Sequence, residues 1–379
     1  MKETMELYLH IPFCVKKCAY CDFLSFPQGP DVQKRYADRL IDEIKTASAG
    51  FRDTTVTSVF VGGGTPSILD SEDMVRIFDA LRQNFKIAED AEISMEANPG
   101  TVTEKKLRDY RKAGINRLSF GLQSAENEEL KALGRIHTYE EFLESYHMAR
   151  ACGFANINVD LMSALPGQTV ESWMETLRKV AELEPEHISA YSLIIEEETP
   201  FFEKYGDDRG DGLLPDEDAE RDMYHRTKTF LKELGYERYE ISNYAKSGYE
   251  CRHNIGYWTG VPYLGLGLGA SSYINGCRFC NTSDLTEYLE CSSVQRCDEI
   301  ALTDRDMQEE YFFVGLRLTE GVSLKGFEER FGVKADDVYP GLLKRIISDG
   351  GAEIDGDHFR LTEYGMDVSN YIMAQFLQD

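Results

Sequence analysis

The sequence predicts an α/β fold, with a partial (β/α)6 barrel followed by a small winged-helix-like α+β domain. Three observations support this prediction. Six short apolar runs alternate with amphipathic stretches through the first half of the chain. Polar side chains follow nearly every apolar run, and the end of the chain combines helical patterns with one short hairpin.

The six apolar runs are predicted to be strands of a parallel sheet, because a helix between each pair can return the chain to the same edge. The predicted strands are Leu7–Ile11, Val56–Val61, Ala91–Ala97, Arg117–Leu122, Asn156–Leu161 and His187–Ile194. The predicted helices are Gln33–Ser48, Ser71–Asn84, Glu104–Ala113, Glu140–Cys152 and Val170–Leu183. Six such units make three quarters of the eight-unit barrel.

The pattern changes after about residue 200. A helix is predicted around Ala219–Leu234, and the stretch 237–276, rich in Tyr and Gly, is predicted to form strands and loops folded back against the barrel. From Asp304 onward the predicted order is three helices, a hairpin at Glu353–Leu361 and a last helix. We therefore expect a barrel at 1–200, a connecting region packed on it at 201–300 and a C-terminal domain at 301–379.

Composition excludes several classes of function. The chain has 379 residues, 42% of them hydrophobic, which is typical of a globular protein. Its net charge of −26 would repel phosphate backbones and anionic lipid headgroups, so we expect neither nucleic acid nor a membrane surface as a partner. No apolar stretch is long enough to span a membrane and the first residues resemble no signal peptide, so the expected location is cytoplasmic.

Three of the nine cysteines, Cys14, Cys18 and Cys21, fall within eight residues after the first predicted strand. In a reducing compartment such clusters indicate metal or redox chemistry, and thiolates suit zinc or iron–sulfur centres. His10 could complete a zinc site, although zinc ligands usually come as two separated pairs. Three thiolates on a 4Fe–4S cluster would leave one iron open, which favours a reactive centre.

Polar or glycine residues also follow the other predicted strands. Because the carboxyl ends of parallel strands meet at one edge, we expect these residues to form a single site at the barrel mouth. They are Gly62, Gly63, Gly64, Thr65, Glu96, Asn98, Gln123 and Asp160. The glycines would let backbone N–H groups approach a ligand.

The spacing Cys14-x3-Cys18-x2-Cys21, with Tyr20 before the last cysteine, resembles the signature of radical S-adenosylmethionine (SAM) proteins. The segments "LYLHIPFCVKKCAYCDF", "GGGTPS", "LGRIH" and "NVDLMSALPGQT" are similar to the branch that contains oxygen-independent coproporphyrinogen III oxidase. This resemblance implies that the three cysteines hold a 4Fe–4S cluster. It further implies that SAM is contacted by Tyr8, Tyr20, Gly63, Gly64, Thr65, Glu96, Gln123, Arg135 and Asp160.

Two features depart from the oxidase pattern. In that branch the cysteine run continues as Cys-x-Cys after a longer N-terminal arm, whereas this sequence has Phe23 there and reaches Tyr8 within eight residues. The segment "RHNIGYW" resembles the HNxxYW motif of HemW-type haem chaperones. This resemblance implies haem as a cofactor, apo-proteins that accept haem as partners, and His253 as a candidate haem contact. The alternative is that His253 only fixes a loop.

Several alternatives remain open at this stage. Coproporphyrinogen oxidation is disfavoured by Phe23, whereas another radical SAM reaction such as methyl transfer is not excluded, so enzymatic activity stays undecided. A homodimer also stays open. Cys277-x2-Cys280, with Cys291 and Cys297 downstream, lacks a partner pair at suitable spacing, so we expect no second metal site.

Overall fold

The computed structural model describes residues 3–206, 212–291 and 293–377. Within these ranges, twelve strands form one continuous mixed sheet and three further strands form a small second sheet. No helix of the described residues is both long enough and apolar enough to cross a bilayer.

Six parallel strands form the centre of the large sheet and are hydrogen-bonded in chain order. They are β1 (Thr4–Ile11), β2 (Thr55–Gly63), β3 (Lys86–Ala97), β4 (Arg117–Gln123), β5 (Ile157–Ser163) and β6 (His187–Ser192). The Tyr191 hydroxyl on β6 donates to Gln123 Oε1 on β4 over 2.9 Å, across the intervening β5. The sheet is therefore curved at this edge, and the predicted partial barrel is confirmed.

Six helices connect these strands and pack their apolar faces on the sheet. They are α1 (Pro30–Ala47), α2 (Ser71–Asn84), α3 (Glu104–Lys112), α4 (Asn127–Ala132), α5 (Tyr139–Ala151) and α6 (Val170–Ala181). Side-chain caps fix several starts: Asp70 accepts from the Glu72 N–H, and Thr138 and Thr169 begin reciprocal capping boxes. The predicted α2 is reproduced to the residue, whereas the short α4 was not predicted.

The connecting region continues the large sheet at both edges. It contains α7 (Pro200–Tyr205), α8 (Glu217–Glu233), β7 (Glu237–Arg238), β8 (Asn243–Ala245), α9 (Arg252–Thr259), β9 (Tyr263–Leu266), β10 (Ser271–Ile274), β11 (Cys277–Asn281), α10 (Leu285–Glu290) and β12 (Arg296–Ala301). Strand β9 adds parallel to β1, and β8 adds antiparallel to β6.

The prediction of strands and loops for 237–276 was wrong at one element, because Arg252–Thr259 is the helix α9. A glycine inside this helix, Gly256, lowers its intrinsic helix propensity. The structure explains that glycine: a Cβ there would collide with the carboxyl group of Glu6. Packing on β1 therefore outweighs local propensity.

The C-terminal part has its own hydrophobic core, in which Phe312 and Phe376 stack with ring centroids 4.4 Å apart. It contains α11 (Asp304–Gly315), β13 (Val322–Ser323), α12 (Leu324–Phe331), α13 (Ala335–Val338), α14 (Leu342–Ser348), β14 (Ala352–Asp355), β15 (His358–Leu361), α15 (Glu363–Asp367) and α16 (Ser369–Ala374). The predicted hairpin is present, and β13 joins it as a third strand.

Candidate functional site

The three clustered cysteines lie in the loop between β1 and α1, which folds over the carboxyl ends of the barrel strands. The loop is anchored at its base, where the Cys14 N–H donates to the Phe26 carbonyl over 3.2 Å. Its middle is anchored by the Ala19 N–H, which donates to the Leu133 carbonyl over 3.1 Å. Tyr20 packs edge-on against Phe201 of α7. These contacts hold the loop in a defined position over the barrel.

The loop closes a cavity of about 130 Å³ at the barrel mouth. Its walls are formed by Cys14, Lys16, Lys17, Cys18, Tyr20, Cys21, Phe23, Gly63, Gly64, Thr65, Glu96, Ala97, Asn98, Ser119, Gly121, Gln123, Arg135, Asp160 and Tyr191. The structure therefore brings together all three clustered cysteines and every predicted SAM-contacting residue except Tyr8. Tyr8 lies just outside the cavity, with its hydroxyl 3.0 Å from His10 Nδ1.

Gly63 and Gly64 are required because the end of β2 comes close to β1 and to the cysteine loop. A Cβ at Gly64 would lie 2.7 Å from the Phe13 carbonyl oxygen and 3.0 Å from Cys14 Sγ. Gly63 has a φ of 113°, and a Cβ there would lie 2.6 Å from the His10 ring. A larger residue at position 64 would push the cysteine loop out of place, and one at position 63 would displace the His10 ring of β1.

Glu96 supplies a buried carboxyl group on one wall of the cavity. Desolvation raises the pKa of Glu96 to about 8, and the nearby Asp160 carboxylate adds to this shift. Glu96 Oε2 accepts from the Gly63 N–H over 3.2 Å. Because a cation next to this group would favour its ionised form, the wall is suited to a positively charged ligand.

Arg135 supplies a guanidinium group on another wall. Its Nη2 donates to Asn98 Oδ1 over 2.9 Å and to the Gly121 carbonyl, and its Nη1 lies 3.7 Å from Cys18 Sγ. Its Nε is buried and has no hydrogen-bond partner. A buried donor without a partner is costly, and a ligand carboxylate would relieve that cost.

Asp160 and Gln123 complete the polar wall. Asp160 accepts from the Ser119 hydroxyl over 2.9 Å and from Asn158 Nδ2 over 2.7 Å. Gln123 has a φ of 76°, a conformation that is strained for a residue with a side chain, and it accepts from the Tyr191 hydroxyl. Neither Ser119 nor Tyr191 was predicted from the sequence, although Tyr191 lies near the end of β6, the one barrel strand for which no polar residue was singled out.

The donor set fits an iron–sulfur cluster better than a single ion. Among the residues that the structure describes, no three His, Cys, Asp or Glu side chains are close enough to hold one metal ion. Thiolates on an iron–sulfur cluster bind different iron atoms and need not converge on a point. The three sulfur atoms on one cavity wall, beside glycines that leave room for a ligand, match that requirement.

The structure does not bring His253 into this cavity. Its Nδ1 lies 2.7 Å from Ser58 Oγ and its Nε2 lies 3.0 Å from the Tyr257 hydroxyl, so both ring nitrogens have partners. Only 1% of its surface is exposed, and burial lowers the pKa of His253 to about 3, with Arg117 adding to the shift. This geometry favours the interpretation of His253 as a structural residue.

Cys277, Cys280 and Cys297 lie on the outer strands of the sheet, away from the cavity. Cys280 on β11 pairs with Cys297 on β12, and Cys280 Sγ is 3.6 Å from the Cys297 carbonyl oxygen. Cys277 lies on the same strand as Cys280, and Cys291 follows α10.

Two family models match the chain, the Radical SAM superfamily over residues 8–180 and the HemN C-terminal domain over residues 302–368. Curated relatives named heme chaperone HemW include those of Bacillus subtilis and Escherichia coli. The Bacillus subtilis protein is 35% identical, covering 98% of both chains, and the Escherichia coli protein is 35% identical, covering 99% of this chain and 98% of the relative. A third, from Mycobacterium tuberculosis, is 31% identical, covering 99% and 95%.

The fold has a close counterpart among solved structures. Coproporphyrinogen III oxidase (HemN) from Escherichia coli, described as a radical SAM enzyme, superposes with a TM-score of 0.85 at 27% identity. The match covers 99% of this chain and 90% of the oxidase. The barrel and the C-terminal part are thus arranged as in that enzyme.

Proposed function

The chain belongs to the heme chaperone HemW family within the radical SAM superfamily, and we therefore propose that it binds haem and passes it to acceptor proteins. The observation that carries this proposal is the similarity to HemW relatives along 98–99% of the chain. Phe23 supports it, because it stands at the rim of the cavity where the oxidase branch continues its cysteine run.

In this proposal Cys14, Cys18 and Cys21 hold a 4Fe–4S cluster, and SAM occupies the rest of the mouth cavity. When bound, the cluster supplies one electron at a time to a ligand on its open iron. The donor set supports this assignment: three thiols are available on one wall of the cavity, and Gly64 leaves the space beside them free of a side chain.

The chain's own residues would bind the charged ends of SAM. Arg135 has a buried Nε–H without a partner, which would pair with the SAM carboxylate. With a pKa of about 8, Glu96 is protonated near neutral pH, and it would release its proton when the amino or sulfonium cation is beside it. Asp160 and Gln123 would accept from ribose hydroxyls, and Tyr20 would line the same cavity.

A second candidate function is coproporphyrinogen oxidation, which the TM-score of 0.85 to HemN favours. The two functions make different demands on the ligand. An oxidase converts a flexible, colourless porphyrinogen, whereas a chaperone holds planar haem and releases it unchanged. The residue at position 23 and the higher identity to HemW relatives favour the chaperone.

Haem transfer tests the proposal directly. The full chain, reconstituted anaerobically with iron and sulfide, is loaded with one equivalent of haem and mixed with an apo-haemoprotein whose holo-form has a distinct Soret band. We expect the acceptor's spectrum to appear faster than from the same amount of haem held by serum albumin. Equal or slower transfer would contradict a chaperone role.

A cytoplasmic location and a homodimer also belong to this proposal. Light scattering on the purified chain tests whether it forms a homodimer.

A further inference from the structure

A second cleft, of about 230 Å³, lies between the connecting region and the C-terminal part. One side is formed by α9 and strands β9 and β10, and the other by α11 and the β13–β15 sheet. It shares no wall residue with the mouth cavity. Four of its wall residues are partly exposed aromatics, Tyr257, Trp258, Tyr263 and Tyr311. Such walls suit a flat apolar ligand.

The cleft walls carry two guanidinium groups, together with the carboxylates of Glu310 and Glu320. Arg278 and Arg330 both line it. Arg278 Nη2 donates to Glu310 Oε2 over 2.9 Å, while its Nε is buried without a hydrogen-bond partner. Arg330 lies at the exposed side, where its Nη2 is 3.4 Å from the Tyr273 hydroxyl. The two arginines can therefore receive carboxylates at two positions along the cleft.

A further donor without a partner lies on the same wall. Trp258 Nε1 is buried and has no hydrogen-bond partner, and the Arg317 guanidinium covers the Trp258 ring at 4.4 Å. Both Trp258 and Arg278 belong to the cleft wall, so an acceptor that reached these donors would relieve two unsatisfied groups.

The cleft offers an imidazole that His253 cannot supply. His358 on β15 lines the cleft, and 34% of its side chain is exposed. Its nearest charged partner is the exposed Glu320 carboxylate, 3.5 Å from Nε2. By contrast, both nitrogens of His253 are used within the barrel. Imidazole is a common axial ligand of haem iron.

From these observations we propose that this cleft is the haem-binding site. Trp258 and Tyr311 contact the macrocycle, Arg278 and Arg330 bind its two propionates, and His358 ligates the iron. This inference rests on the proposed function and adds the location of the haem-binding site and the residues that form it. Enclosed ligand pockets measure about 300–1,000 Å³, so a cleft of about 230 Å³ holds one edge of haem and leaves the rest accessible. That arrangement suits a protein that must release its ligand.

The test is a titration of the reconstituted full chain with haem, followed by the Soret band. The test variants are His358→Ala, Arg330→Ala and Arg278→Lys, and the control is His225→Ala, an exposed histidine outside the cleft. Arg278→Lys removes the Nε donor. It keeps the positive charge, so that Glu310 still has a cation beside it. Circular dichroism and iron content verify that each variant is folded and carries its cluster.

We expect His358→Ala to shift the Soret band, and added free imidazole to restore the wild-type spectrum, which a merely structural histidine would not allow. Arg330→Ala and Arg278→Lys should each raise the haem dissociation constant about tenfold or more, whereas His225→Ala should match the wild type. If the wild type binds haem and all three cleft variants keep its spectrum and affinity, the cleft is the wrong site and the proposed function stands. If the wild type binds no haem, both proposals fail.

Discussion

The imidazole of His253 and the hydroxyl of Ser58 share a hydrogen bond of 2.7 Å, which links α9 to the middle of β2 across 195 residues of sequence. Glu92 of β3 adds a second link, because its carboxylate accepts from the backbone N–H groups of Arg252 and His253 at the start of α9. Ser58 precedes Gly63 of the mouth cavity by five residues on the same strand. Helix α9 therefore closes the end of the barrel opposite the cysteine loop.

Replacing His253 should affect stability rather than the haem spectrum. His253→Ala leaves the buried Ser58 and Tyr257 hydroxyls without their partner, which costs about 1–3 kcal/mol for each unsatisfied group. Denaturant unfolding measures the loss, and the haem-loaded Soret band should stay at the wild-type position. His225→Ala, at an exposed site, should change neither. A Soret shift in His253→Ala comparable with that of His358→Ala would contradict our placement of haem.

Buried neutral histidines should make the fold sensitive to acid. Burial lowers the pKa of His253 and of His137 to about 3 each. The unfolded chain, with a histidine pKa of about 6.5, takes up protons first as the pH falls, so stability is lost between about pH 6.5 and pH 3. Each histidine contributes up to about 1.4 kcal/mol per pH unit in that window.

The free energy of unfolding, measured at about pH 7 and at about pH 5, tests whether the fold loses stability as the pH falls. His253→Asn cannot take up a proton, so its stability should fall less between the two pH values than that of the wild type. His225→Asn, which replaces a partly exposed histidine paired with Asp367, serves as the control for the loss of a histidine outside the barrel. An unchanged slope in His253→Asn would show that this residue is not neutral in the folded state.

Gly64→Ala should reduce the iron content of the reconstituted chain without unfolding it. The added Cβ would lie 2.7 Å from the Phe13 carbonyl oxygen, so the cysteine loop must move and Cys14 moves with it. Iron analysis and the visible absorbance of the iron–sulfur cluster measure the loss. The control is Gly50→Ala, where a Cβ meets nothing within 4 Å. Full cluster content in Gly64→Ala would mean that the loop tolerates the displacement.

The affinity for SAM should rise with pH because of Glu96. Burial raises the pKa of this carboxyl to about 8, so below that pH a proton must leave when the SAM cation binds. The affinity should increase up to about tenfold per pH unit as the pH approaches 8 and level off above it. Glu96→Gln should weaken binding about tenfold or more and abolish this pH dependence.

Calorimetric titration in two buffers of different ionisation enthalpy also counts the released proton. Glu89→Gln, at an exposed position near the other end of β3, is the matched control and should behave as the wild type. A pH-independent affinity in the wild type would place the SAM cation away from Glu96.

The barrel could be predicted because local signals agreed with the tertiary fold. Strand β4 is a short apolar run of strand length. Helix α2 has an amphipathic pattern, and the Asp70 cap fixes its start. The position of the mouth cavity could also be predicted, because parallel strands bring their carboxyl ends together. Arg135 is the exception, since it lies after α4 and was placed only through the family resemblance.

Helix α9 and the second cleft could not be predicted, because they depend on long-range contacts that no local sequence pattern indicates. Helix α9 forms because Gly256 packs on Glu6 and because Glu92 accepts from its first N–H groups, and both partners lie on distant strands. The second cleft is assembled from Trp258, Arg278 and His358, which are separated by up to 100 residues in the sequence. The HNxxYW motif identifies Trp258 in the sequence, but only the structure shows which residues lie with it in the cleft.

The most direct test of the chaperone function is a parallel assay on one anaerobically reconstituted preparation. One sample is titrated with haem, and another is incubated with coproporphyrinogen III, SAM and a low-potential reductant. We expect saturable, stoichiometric haem binding with a shifted Soret band and no formation of protoporphyrinogen IX. Sustained conversion of coproporphyrinogen III, with haem bound only weakly or without saturation, would contradict the account and identify the protein as the oxidase.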